Sequence, residues 1–159
     1  MQVSQAGMDL SKRFEGLKLR VYLDIAGIPT IGRGHRLLHP GSFPDGITES
    51  QADEIFLVDM RDAGLTVSQL VKVPITQGIF DALTDFEFNL GQGRLAGSTL
   101  LKDLNSGDSD AAAQQLLLWD HGCIEGKEVE IAALKARRAA EFELWTGKSA
   151  TGSAAPAEV

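Results

Sequence analysis

The sequence predicts an α+β fold, mainly helical, with a small N-terminal β-hairpin lobe, a larger helical C-terminal lobe and a cleft between them. Three observations carry this. Apolar residues recur every three or four positions through most of the chain after residue 48. Runs that favour strands, broken by glycine turns, are confined to residues 19–35. The composition, 43% hydrophobic and 23% charged over 159 residues, suits one domain with a core of its own. A cleft between two such lobes is where an elongated ligand binds.

In GMDLSKRFEGL, Met8, Leu10, Phe14 and Leu17 recur at helical spacing, and Gly16 with the following LRVYL ends the helix close to Glu15. LRVYLD and IPTIGRGH read as two short strands joined by a turn containing Ala26 and Gly27, with Asp24 and Thr30 on either side. HPGSFPDG is a loop. Thr48 followed by Gln51 makes a capping box that opens a long helix, in which Ile55, Leu57, Val58 and Leu65 supply the expected buried stripe. Thr76 caps a second, with Ile79, Phe80, Leu83, Phe86 and Leu90 in register until GQG stops it. STLLKDLNSGD and SDAAAQQLLLW read as short helices. EIAALKARRAAEFELW is a strong last one, with Ile131, Leu134, Phe142 and Trp145 in register. One domain is therefore expected over 1–147, the small lobe at about 15–48 and the helical lobe at about 49–147. The small, polar tail 148–159 is expected to be disordered.

The net charge of −7 is unevenly spread: residues 1–40 carry six Lys/Arg against three Asp/Glu, residues 41–113 four against twelve, and residues 114–159 five against seven. An acidic body argues against sequence-independent nucleic-acid binding, which needs clustered cations. No apolar run approaches the length of a membrane span, and MQVSQAGMDLSKRFEG lacks the apolar core of a secretory signal, so neither membrane insertion nor export is expected. Cys123 is the only cysteine, so no internal disulfide can form, and it reads as a packing residue. His35 and His39 have the spacing of a metal pair, but without further placed ligands they make no metal site.

The chemistry concentrates in FEGLKLRVYLDIAGIPTIGRGH, Phe14 to His35, which sets Glu15, Asp24 and Thr30 around several glycines. Glycoside hydrolysis commonly uses one acid to protonate the departing oxygen and a second to activate water or stabilise a developing oxocarbenium ion. Glu15, expected at a helix end among apolar neighbours, and Asp24, expected in a hydrated turn, could fill those two roles by their different surroundings, with the Thr30 hydroxyl helping Asp24 to hold a water. Two acids and a threonine at this spacing also occur by chance in structural segments.

The order E, eight residues, D, five residues, T, followed by IGxGH, resembles the active-site signature of the phage-type lysozymes, the endolysins of tailed bacteriophages that include the T-even phage lysozyme. It stands here as Glu15, Asp24, Thr30, Ile31, Gly32, Gly34 and His35. QGIFDALTDFEFNLGQG, STLLKDLNSGD and ARRAAEFELWTG resemble further family segments, so that the similarity covers about residues 8–147. The resemblance implies a lysozyme-like fold and a muramidase that cuts the β-1,4 bond between N-acetylmuramic acid and N-acetylglucosamine with inversion. Glu15 would be the general acid, and Asp24 with Thr30 would position the water. Phe88 and Asn89 match the helix lining the saccharide cleft, an amide there meeting an acetamido group; core Phe and helix-end Asn is the competing reading. One of Arg137 and Arg138 would contact Glu15, and a cation there opposes the desolvation of the acid. His35 would pair with an acid or cap the small lobe. Trp119 and Trp145 either stack on sugars or fill the core. No metal or organic cofactor is implied. The partners would be peptidoglycan strands and, without direct binding, a holin that releases a monomeric enzyme from the host cytoplasm to the wall. A lytic transglycosylase, which needs one acid and gives an anhydro product, and a non-catalytic glycan-binding phage protein are the alternatives.

Three departures from the family stand out. Arg33 replaces the tyrosine often found in IGYGH and adds charge at the cleft edge. WDHGCIEGKEVEIAALKARR lacks the usual glycine-rich turn and proline, so this region is expected to fold differently. The negative body is unlike the positive surfaces of many wall-degrading enzymes.

Overall fold

Ser4 starts the first helix by accepting a hydrogen bond from the Gly7 N–H, and α1 (Gln5–Phe14) ends where Glu15 takes extended backbone angles. Glu15 is thus the first residue outside the helix. The computed structural model describes residues 1–24, 27–39, 41–124 and 127–147; Ala26 and the tail 148–159 lie outside the described residues. After Glu15 the chain forms β1 (Lys18–Leu23), β2 (Pro29–Gly32) and β3 (His35–Arg36), an antiparallel sheet in that order. Tyr22 stands opposite Thr30, and Thr30 opposite Arg36. The strand expected over IPTIGRGH is in fact two. Gly32 and Gly34, at φ +66° and +88°, turn the chain back between them, which few other residues allow.

The capping box at Thr48 and Gln51 opens α2 (Glu49–Leu70). Thr76 caps α3 (Gln77–Leu90), and Ser98 and Asp108 cap two later helices in the same way. Gly91, at φ +85°, ends α3 and at once starts α4 (Gln92–Gly97), followed by α5 (Thr99–Asn105) and α6 (Ser109–Leu116). The divergent segment forms an antiparallel hairpin, β4 (His121–Ile124) with β5 (Lys127–Glu130), before α7 (Ala132–Thr146). The lead-in to the last helix, read as helical from Glu130, is therefore partly strand.

The stripe expected on α2 is wrong. Leu57, Val58 and Leu65 are 46%, 51% and 56% exposed, and the buried residues are Ala52, Phe56, Met60, Ala63, Gly64 and Val67. Small residues decide this face, because they let α3 come close. A Cβ at Gly64 would lie 3.1 Å from the Phe80 ring. The last helix departs as well: its buried face carries Arg137, Arg138 and Glu141 beside Trp145, while Ile131, Leu134 and Phe142 are only partly buried.

The main core gathers Val67, Phe80, Leu83, Phe86, Leu95, Leu100, Leu104 and Leu116 from the helices. A smaller cluster of Ile31, Leu37, Ile47 and Ala52, with Leu17 and Ile55 against it, joins the sheet to the first half of α2. α2 enters both, so it fixes the sheet relative to the helical body. Met60 is fully buried, and Met60→Ala should cost about 2–5 kcal/mol in urea unfolding. Leu57→Ala should stay within about 0.5 kcal/mol of the parent.

Candidate active site

Glu15 leaves α1 at the edge of a cleft of about 510 Å³ whose walls include Tyr22, Asp24, Thr30, Asp59, Glu87 and Phe88. Its Oε1 accepts a hydrogen bond from Arg137 Nη1 at 2.7 Å. Oε2 lies against the turn at Gly34, where a Cβ would come within 3.3 Å of it. Arg137 is itself held from the interior. Its Nε and Nη2 donate to the two oxygens of Asp85, each at 2.8 Å, and the Ser11 hydroxyl donates to Asp85 Oδ1. Asp85 is fully buried and Arg137 nearly so. Burial works against both charges, but each stabilises the other more: Arg137 holds the Asp85 carboxyl below the usual carboxylate range, and Asp85 with Glu15 holds the guanidinium above its ordinary value.

Asp24 follows β1, and its Oδ1 accepts from the Ile28 N–H at 2.9 Å. The Asp24 N–H in turn donates to the Ile28 carbonyl, closing a tight loop that presents the carboxylate to the cleft. Arg36 Nη2 approaches Oδ2 to 3.4 Å. Thr30 is only 2% exposed, and its hydroxyl donates to the same Ile28 carbonyl at 2.9 Å. Glu15, Asp24 and Thr30 therefore line one cleft.

The sequence model of the family described as Phage lysozyme matches residues 12–141, which include all three. The chain belongs to the phage lysozyme family. It is 40% identical over 141 residues to an endolysin of Salmonella phage P22, covering 87% of this chain and 94% of that one. An endolysin from Escherichia coli O157:H7 phage FAHEc1 has a similar structure, with a TM-score of 0.81 at 38% identity over 92% of this chain and 94% of that one. The muramidase domain of SpmX from Asticaccaulis excentricus gives a TM-score of 0.82 at 34% identity, over 91% and 97%. These likenesses fix the lysozyme-like α+β fold.

The other residues singled out from the sequence fall into two groups. Phe88 and Asn89 line the cleft; Phe88 packs edge-on against Phe56, and Asn89 Oδ1 accepts from Arg138 Nη2 at 2.9 Å. Of the two arginines it is Arg137 that reaches Glu15, while Arg138 pairs with Glu141 at 2.8 Å and lies over the Phe86 ring. His35 Nδ1 sits 2.9 Å from Asp59 Oδ2 on α2. Trp119 packs edge-on against Phe86, and Trp145 is buried with Nε1 donating to Ser109; both are core. Arg33, expected at the cleft edge, bonds Asp53 on α2 at 2.9 Å instead, leaving its charge answered away from the lining. His39 is exposed, and among the described residues no three His, Cys, Asp or Glu are grouped to hold a metal. No helix among them is long and apolar enough to cross a membrane.

Sequence reasoning missed Asp85, Ser11 and Tyr22. Asp85 sits among Phe, Leu and Ala on α3, where an acid looks like a solvent-facing position; its burial follows from Arg137, which lies 52 residues away. Tyr22 was legible, since alternation along β1 puts it on the face of Asp24. Burial, followed by the charges of Glu15 and Asp24, pushes its phenol up, so it faces the cleft as a hydroxyl donor.

Glu87 is also raised, by burial and then by the charge of Asp62. A raised carboxyl binds its proton more tightly folded than unfolded, so stability is lost as pH climbs through and above the ordinary glutamate range. Glu87→Gln should melt above the parent at pH 7, and the difference should vanish near pH 3.5 when both are followed by thermal unfolding.

Proposed function

We propose that the chain is an endolysin that hydrolyses the β-1,4 bond between N-acetylmuramic acid and N-acetylglucosamine of bacterial peptidoglycan, as an inverting glycoside hydrolase. Membership of the phage lysozyme family makes it a peptidoglycan-degrading enzyme. The finer reading rests on one observation, the way hydrogen bonds are shared out between Glu15 on one side and Asp24 and Thr30 on the other. Arg137 occupies Oε1 of Glu15 and fixes the carboxyl at the cleft edge. Across from it, the hydrogen of the Thr30 hydroxyl is committed to Ile28, so the oxygen offers the cleft an acceptor. Asp24 beside it is a second acceptor. Two acceptors hold a water by its two hydrogens and leave a lone pair to attack.

In the reaction Glu15 gives its proton to the glycosidic oxygen as that oxygen parts from the muramic acid C1. The water adds to C1 from the opposite face, and its proton passes to Asp24, which inverts the anomeric carbon. Phe88 offers an apolar surface to a sugar ring. Asn89, its oxygen held by Arg138, turns its NH2 toward an acceptor such as an acetamido carbonyl. Likeness to a muramidase domain of a bacterial protein supports the same bond. No metal or organic cofactor takes part. The enzyme waits in the host cytoplasm until a holin admits it to the wall, and acts there as a monomer on glycan strands.

Digestion of purified peptidoglycan in oxygen-18 water tests this. Mass spectrometry should find heavy oxygen at a reducing muramic acid, proton NMR should show the α anomer first, and Glu15→Gln should lower kcat by about a thousandfold or more. Anhydro products would assign a transglycosylase and remove the roles of Asp24 and Thr30; binding without cleavage would leave a glycan-binding protein.

A further inference from the structure

A glycosidase acid must carry a proton, yet Glu15 accepts a hydrogen bond from a guanidinium, and a cation so near favours the charged carboxylate. The interior holds the answer to this conflict. Arg137 is gripped by two bonds from behind, both to Asp85, and by one in front, to Glu15. Asp85 is in turn fixed by Ser11 from α1, which lies one helical turn before Glu15, its carbonyl accepting the Glu15 N–H. The groups facing this pair are few. From α7 come Arg138 and Glu141, the latter fully buried and pushed well above its usual range by burial, with Arg138 opposing and Asp85 adding to the shift. From the sheet side Tyr22 and Asp24 face the Glu15 end. The negative charge that answers Arg137 from the buried side is therefore that of Asp85.

Resting on the reading of Glu15 as the acid, we propose that Asp85 is a positioning residue for the reaction: it answers the charge of Arg137 from the interior and locks its plane, so that Arg137 aims the Glu15 carboxyl at the cleft. A bidentate grip on the guanidinium sets the direction of its third bond, because the five N–H groups of arginine are fixed in one plane. Asp85 thereby acts on the reacting centre through a second residue and touches no substrate. Ser11 completes the device by tying Asp85 to the helix that ends at Glu15.

The test compares the parent with Asp85→Asn and Ser11→Ala, following the Glu15 carboxyl by carbon-13 NMR titration and kcat by its pH profile. Asparagine keeps an acceptor for Arg137 and removes the charge. The Glu15 titration and the alkaline limb of kcat should then fall together by on the order of one pH unit, since the arginine is left with Glu15 as its nearer counterion. A merely structural role would lower the melting temperature and leave that midpoint alone. Ser11→Ala keeps the charge and loosens it: kcat should drop about three- to tenfold with the midpoint unmoved. If Asp85→Asn does not hold its fold, Ser11→Ala decides, and a parental kcat in it overturns the proposal. So does a folded Asp85→Asn whose Glu15 titrates as in the parent. A parent that cuts no peptidoglycan, with the Glu15 midpoint still moved by Asp85→Asn, would fail the hydrolase reading alone.

Discussion

The arrangement of the cleft depends on one guanidinium. Arg137 joins α7, α3 and α1 through Asp85 and Glu15, and it does so inside the protein, where its charge would be costly without close partners. Burying such a group is a poor source of net stability, since an apolar cluster of similar volume would serve as well or better. What it provides is direction. Only a charged, planar donor can grip one carboxylate with two bonds and hold a second in a set place. α3 then places Phe88 and Asn89 three and four residues beyond Asp85, on the side of the helix that reaches the cleft. The same helix therefore anchors Arg137 beside Glu15 and lines the cleft.

Much of the fold was legible because its punctuation is chemical. Thr48 and Thr76 start helices by accepting from the amide three residues on, a local requirement that needs no knowledge of the rest. The same holds for the glycines that end α3 and α7. Spacing ended the first helix close to Glu15 and put Asp24 and Thr30 on either side of a turn, because both facts are set within a few residues. What failed was set at long range. Leu57, Val58 and Leu65 were large and in register, yet α3 packs on the small-residue face of α2. α3 also approaches α7 so closely that a Cβ at Gly78 would run into the Leu144 carbonyl. Close backbone contact of this kind is decided between elements, and a periodicity count on one element cannot see it.

The charged face of α7 failed for a related reason. The resemblance put one of the two arginines at Glu15, as Arg137 is, but the apolar register of Ile131, Leu134 and Phe142 did not show that both arginines turn inward to partners on α3, Asp85 for Arg137 and Asn89 for Arg138. Asp85 was invisible for the same cause seen from the other side. The pair is legible as a pair and as neither member alone. The hairpin β4–β5 was hidden differently, since its strands are four residues each and their register is supplied by each other.

The two halves of the site are held by unequal means. Glu15 stands on a network whose members are buried and whose bonds run between three helices. Asp24 and Thr30 stand at a sheet joined to the body through Ile31, Leu37, Ile47 and Ala52, helped by the ion pair of Arg33 with Asp53 and the contact of His35 Nδ1 with Asp59. Those pairs are partly exposed, and pairs of that kind contribute little once solvent screens them. The small apolar cluster is the real joint. Glu15 is therefore held by buried polar bonds, whereas the placing of Asp24 and Thr30 rests on the packing of a four-residue apolar cluster against the start of α2. The small cluster is local to the sheet, the loop after it and the start of α2, so the Asp24 and Thr30 side of the cleft is set by packing there and the Glu15 side by the buried network of Arg137 and Asp85.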